Sequence, residues 1–191
     1  MAQLVAHDKQ FLIVGNKNAI TYKEIFILIK ENKLWIGTTP MGHDMLFSVP
    51  GEMAEKMIEN GKAGSNYKIV NGVVYGRSPS IWFTNMDNPK RHEKLTLYKK
   101  YTPDDYPTYD NYKAIEVGRV ADIPVDYAGA MGVPITYLDK YNPEQFEIIG
   151  ATESEGKGFS NGLWVCAPAQ AAVNGQRVYK RLFIKRVGTP Q

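Results

Sequence analysis

The chain has 191 residues, 43% of them hydrophobic and 23% charged, which is enough for one domain with a real core and excludes global disorder. Its net charge of +3 permits a nucleic-acid partner without requiring one. A single cysteine, Cys166, excludes an intrachain disulfide and suits a reducing, cytoplasmic setting, while no apolar run approaches the ~20 residues of a membrane span.

The first ten residues, MAQLVAHDKQ, lack the basic start and apolar core of a signal peptide. Residues 2–7 read as the last turns of a helix. Residues 9–37, KQFLIVGNKNAITYKEIFILIKENKLWIG, read as strand, sharp turn, amphipathic helix and returning strand. Phe11 to Val14 has the apolar run of a strand buried on both faces, and Gly15-Asn16 suits a tight turn. Thr21 with Glu24 reads as a capping box, and Ile25, Ile29 and either Phe26 or Leu28 give the helix an apolar face. In such α/β units ligands bind beyond the carboxyl ends of the strands, which puts Asn16, Lys17 and Asn18 at the crevice.

Residues 45–49 read as a short strand and 52–60 as a helix stopped at Gly61. Residues 67–76 carry Asn71-Gly72 between β-rich runs, a hairpin signal with a type I′ turn. Residues 80–85, SIWFTN, are a further buried-type strand. Residues 102–113 hold Tyr106, Tyr109 and Tyr112, too many aromatics for a solvated loop. Residues 114–117 read as a short strand, and 123–125 and 132–136 as extended pieces. Pro143 suits the first position of a helical turn, and residues 146–149 form another strand. Residues 153–162 are a hydrophilic glycine-rich loop, and 163–165 with 178–184 read as a closing antiparallel pair.

Lys90, Arg91, His92, Lys94, Lys99 and Lys100 form a basic cluster with Glu93 as its only acid, and Arg77 lies upstream. Such a patch suits phosphate contacts; the alternative is a solvated loop guarded by lysines. A second basic set, Arg177, Lys180, Arg181, Lys185 and Arg186, is explained as well by an ordinary edge strand as by one facing DNA. His7, His43 and His92 are scattered and show no zinc spacing, so no metal site is expected. Gly156 and Gly158 are a weak match to a nucleotide loop, because no amphipathic helix follows them. Asp104-Asp105 and Asp122 with Asp126 suit solvated or capping roles, and Cys166 has no nucleophile context.

Four phrases go beyond generic α/β sequence: residues 9–37, IWFTNMDNPKRHEKL, YPTYDNYKAIEVGRVADIPVDYAGAMGVPITYLDKYNPEQFEIIG and YKRLFIKR. With them the chain resembles the C-terminal part of the EcoRI-type adenine-specific DNA methyltransferase family, most weakly at residues 38–72 and 150–176. The resemblance implies an α/β, partial Rossmann-like methyltransferase fold, the later half of a sheet with an inserted, loop-rich β-hairpin region, in one domain over residues 1–191. It implies methyl transfer from S-adenosylmethionine to the exocyclic amine of an adenine flipped out of duplex DNA. The family's glycine-bearing cofactor loop and its Asn/Asp-Pro-Pro-Phe/Tyr tetrapeptide are not matched here, and the chain contains no Pro-Pro pair.

The expectation is therefore a fragment with no catalytic residue of its own. Alone, it would be inactive and would not hold S-adenosylmethionine. Asn16 and Asn18 match the edge of the base pocket, and Arg77, Lys90, Arg91, His92 and Lys94 are the DNA-binding candidates. The expected partners are duplex DNA and a separate polypeptide carrying the N-terminal catalytic half. The alternatives are a non-catalytic DNA-binding or protein-interaction remnant, and a decayed fragment that associates through an unpaired sheet edge.

Overall fold

The computed structural model describes residues 1–152 and 170–188. Cys166, the loop glycines Gly156 and Gly158, and the strand expected at 163–165 lie outside the described residues.

A short helix, α1 (Ala2–Ala6), leads into strand β1 (Leu12–Asn16). A 3-10 turn, Lys17–Thr21, separates β1 from α2 (Lys23–Lys30), and strand β2 (Trp35–Ile36) follows. The capping box expected from Thr21 does not form, because the Thr21 hydroxyl donates to the Asn18 carbonyl at 2.8 Å. Asn16 caps instead: its side-chain oxygen accepts from the Asn18 backbone N–H at 2.9 Å and starts the 3-10 turn.

The chain then builds a separate module: β3 (Met45–Ser48), α3 (Gly51–Asn60), β4 (Tyr67–Val70) and β5 (Val73–Ser78), with sheet order β3-β5-β4. Its hairpin is the one read from the sequence. Asn71 and Gly72 have φ of 50° and 77°, as a type I′ turn needs. Gly61 ends α3 for a different reason than a left-handed turn: its φ is −99°, and a Cβ there would lie 2.4 Å from the Met57 carbonyl oxygen.

Strand β6 (Ser80–Thr84) returns to the first sheet and lies between β1 and β2, antiparallel to both. The helix therefore does join two strands that run the same way, but β6 occupies the slot between them. Burial of β1 on both faces is overturned. Leu12 and Val14 are 51% and 45% exposed, whereas Phe11, Ile81 and Phe83 share a buried cluster with Phe26 and Ile29 of α2. One face of β1 is covered, and the other is open. Among the described residues β1 has no partner on its second edge.

The rest of the described chain forms a third, four-stranded sheet and a small hairpin beside it, a division that the sequence reading did not anticipate. Strands β7 (Ile115–Glu116), β8 (Met131–Pro134) and β9 (Phe146–Ala151) are followed by a small hairpin, β10 (Ala172–Val173) and β11 (Gln176–Arg177), and by β12 (Arg181–Arg186). The order is β7-β8-β12-β9, parallel only between β7 and β8. The edge-strand reading of residues 181–186 is thus corrected: β12 is central, because Leu182, Phe183 and Ile184 are all buried and need strands on both sides. Residues 135 and 136 are not extended but open a 3-10 helix, Ile135–Lys140. Met131, Val133, Phe146, Ile148 and Phe183 are fully buried, each contributing about 1.5–3 kcal/mol of apolar transfer. Tyr106, Tyr109 and Tyr112 are buried, as their number in one loop implied. The result is a mixed α/β protein with several sheets rather than one.

Candidate nucleic-acid interface

The turn after β1 is held from outside the sheet. The Lys17 ammonium donates to the His43 carbonyl at 2.6 Å and to Asp44 Oδ1 at 2.9 Å. The other carboxylate oxygen of Asp44 accepts from Arg77 Nε at 2.7 Å and from Arg77 Nη2. All three side chains are only 18–29% exposed. The hydrogen bond from Lys17, reinforced by Arg77, holds the Asp44 carboxyl below the usual carboxylate range against the opposing effect of burial. The structure therefore brings Asn16 and Asn18 together with Arg77, through Lys17 and Asp44, which the sequence reading had not joined. Asp44 sits in a glycine- and proline-marked loop, and its only sequence signal was being an acid with basic residues far away in the chain.

The second candidate group lies beside β2, at the other end of β6. Asn16 pairs with Ser80, whereas Trp35 pairs with Thr84. After β6 the chain makes a 3-10 turn, Pro89–His92. Arg91 turns inward there. Its guanidinium stacks on the Trp35 ring 3.5 Å from the centroid, 14% exposed, with Asp87 at 3.9 Å. Burial pulls the Arg91 pKa below its ordinary value, with Asp87 opposing. His92 faces solvent with Nε2 2.9 Å from both oxygens of Asp87. That contact lowers the Asp87 pKa.

Lys90 and Lys94 line a surface cavity of about 380 Å³ with Leu95, Tyr98 and Lys140, and with two acids, Glu93 and Asp139. Lys94 is exposed, and Tyr98 is 82% exposed. The cavity thus combines cations with an open aromatic face, the pairing that a nucleic-acid backbone and unstacked base can use. The sequence reading had not singled out Tyr98. Among the described residues no hydrogen bond or ion pair links this group to the Lys17, Asp44 and Arg77 chain.

Of the second basic set, Arg181 is structural, whereas Arg177 and Lys185 are exposed. Arg181 donates from Nη2 to Glu116 at 2.6 Å, with both side chains nearly buried, and the Tyr109 hydroxyl donates to the same carboxylate. Burial and the Glu116 charge drive the Tyr109 pKa far upward. Both effects disfavour a tyrosinate beside a carboxylate.

A Rossmann-type cofactor loop needs a glycine turn between a strand and a helix N-terminus. The turn between β1 and α2, Lys17–Thr21, contains no glycine, and Gly15 lies inside β1, where a Cβ would lie 2.9 Å from the Phe83 ring. Among the described residues no three His, Cys, Asp or Glu gather as a metal site. No described helix is long and apolar enough to cross a membrane.

Comparison with known proteins gives this geometry its context. The family model "Adenine-specific methyltransferase EcoRI" matches residues 1–187. The type II methyltransferase M.EcoRI of Escherichia coli is 41% identical over 185 residues, covering 96% of this chain and 52% of that protein. M.MgeORF184P of Mycoplasma genitalium is 36% identical over 191 residues, covering 96% and 59%. M.MpnI of Mycoplasma pneumoniae is 38% identical over 149 residues, covering 76% and 45%. The chain thus spans about half the length of the curated relatives it matches. No solved structure matches it.

Proposed function

Because the chain belongs to the EcoRI-type adenine-specific methyltransferase family, we propose that it is the DNA-facing, later part of an enzyme that methylates adenine in duplex DNA. The observation that carries this reading is the family match over residues 1–187. Coverage of only 52% of M.EcoRI supports a division of labour in which other residues hold S-adenosylmethionine and orient the adenine amine. The absence of a Pro-Pro pair and of a glycine in the turn between β1 and α2 supports the same division. S-adenosylmethionine supplies the methyl group when bound; this chain alone holds neither it nor the tetrapeptide.

In this proposal residues 1–191 are one unit, whose first sheet is the later part of a Rossmann-like one. The open edge and open face of β1 support that reading, since a further strand and its cover would pair there. Asn16 and Asn18 stand at the rim of the base pocket, and the Lys17–Asp44–Arg77 chain fixes that rim. Lys90, Lys94 and His92 meet phosphates, and Arg91 anchors their turn through Trp35. A separate polypeptide carrying the catalytic tetrapeptide is the second partner beside duplex DNA.

A salt titration of duplex binding by the full chain tests the DNA half of the proposal. The expected result is an affinity that falls steeply as salt rises. No binding at low salt, or a flat response, would remove DNA as the partner. The weaker reading, a non-catalytic DNA-binding remnant, shares that result and differs only when the catalytic half is added.

A further inference from the structure

The β3-β5-β4 module has two unlike faces. Register puts Phe47, Gly76 and Tyr67 on one of them. A Cβ on Gly76 would lie 3.3 Å from the Met57 side chain, so α3 covers that face. Beyond it, α3 presents Glu52, Glu55 and Glu59 to solvent, with Lys56 as its one exposed cation. Alternation puts Leu46, Lys68, Val73, Tyr75 and Arg77 on the opposite face. Strands β3, β4 and β5 contain no acidic residue. The neighbouring acid, Asp44, is already matched by Lys17 and Arg77. The module is therefore negative on its helix and positive on its open sheet.

The open face is also accessible and well placed. A cavity of about 310 Å³ is lined by His43, Asp44, Leu46, Gly64, Lys68 and Arg77. Leu46 and Val73 are 41% and 52% exposed. The module leaves and rejoins the first sheet where Asn16 stands, since Lys17 N–H donates to the Pro79 carbonyl at 3.0 Å. At its hairpin end the β4-β5 ribbon is two-stranded, with strands ~4.8 Å apart, a breadth that a major groove about 12 Å wide admits.

We infer that the open face of the β4-β5 ribbon is a DNA-reading surface, entering the major groove beside the proposed base pocket. This rests on the DNA reading above and deepens it by assigning a sequence-discriminating element. Lys68 meets phosphate or a guanine edge, and Val73 of the ribbon, flanked by Leu46 of the adjoining β3, offers apolar contact to thymine methyl groups. The charge of the face favours an anionic polymer, and the acidic side of α3 faces away from it.

Fluorescence anisotropy of the full chain with a short labelled duplex at low salt tests this. Lys68→Glu is expected to weaken binding about tenfold or more, and Lys68→Ala to lower the salt slope by about one. Glu55→Gln, on the far side of the module, is expected to stay within about twofold of the unchanged chain. Selection of bound duplexes from a random pool is expected to return a different base preference for Val73→Ala. If the unchanged chain binds but Lys68→Glu and Lys68→Ala bind equally well, the inference fails while the DNA reading stands. A Lys68 effect reproduced with an acidic protein and absent with DNA would make the face a protein-docking surface. No binding by the unchanged chain removes the DNA reading itself.

Discussion

Arg77, on the last strand of the inserted module, reaches Asp44 with its Nε 2.7 Å from the carboxylate, and that same carboxylate holds Lys17 beside Asn16. The module and the rim of the proposed base pocket thus share one anion. Asp44→Asn removes the charge and leaves two half-buried cations unpaired. The expected loss is about 1–2 kcal/mol, discounted for partial solvent screening, or several degrees in melting temperature. The sign with pH follows from the depressed carboxyl: the stabilisation is present above the ordinary value of 3.8 and is lost as pH falls through the lower folded value. An acid denaturation profile of Asp44→Asn should therefore diverge from that of the unchanged chain above the ordinary value and converge on it only once pH has fallen below the lowered folded value of Asp44.

Arg91 and Lys94 are close in sequence but opposite in expected effect. Arg91→Ala removes a nearly buried guanidinium from the Trp35 face and is expected to destabilise by about 1–3 kcal/mol. Lys94→Ala is expected to leave the melting temperature within about 1 °C and to lower the salt slope of duplex binding by about one. Thermal melting and anisotropy on the same two variants separate these effects.

Gly132 lies against Tyr109. A Cβ there would sit on top of the tyrosine hydroxyl, which donates to Glu116 in the pair with Arg181. Gly132→Ala must push the ring aside and is expected to cost about 1–3 kcal/mol, with calorimetry as the measure. Tyr109→Phe keeps the ring and the Glu116–Arg181 pair, and should cost less.

Leu12 and Val14 are half exposed on a strand that has one unpaired edge among the described residues. Leu12→Lys with Val14→Lys is expected to reduce self-association of the isolated chain, measured by light scattering at increasing concentration. If the same double variant also loses capture of a companion catalytic polypeptide, the open face is where that companion docks.

Local signals in the sequence proved legible wherever one residue type has one cause. Asn71-Gly72 gives its turn because both residues accept positive φ. The three tyrosines in residues 102–113 are buried because aromatics seldom stay in water. Long-range pairing was not legible. The run from Phe11 to Val14 looks buried on both faces, but only register with β6 shows which side chains face outward. Arg181 reads as surface charge until Glu116, far away in the chain, is seen beside it. The candidate site divided in the same way. The place of Asn16 and Asn18 just after a strand was legible from the turn, whereas Asp44, which joins that turn to Arg77, was missed because its partners are distant in sequence. The stacking of Arg91 on Trp35 was not legible, because composition cannot tell a surface cation from a guanidinium held against a ring.

The central claim is tested most directly by methyl transfer from labelled S-adenosylmethionine to duplex DNA. The reaction is run with this chain, with a companion polypeptide carrying the cofactor loop and the Asn/Asp-Pro-Pro-Phe/Tyr tetrapeptide, and with both. The expected result is label in the exocyclic amine of adenine only when both are present. Label from the companion alone at the same rate, or none from the mixture although the companion binds cofactor, would contradict the assignment of this chain as the DNA-facing part of the enzyme.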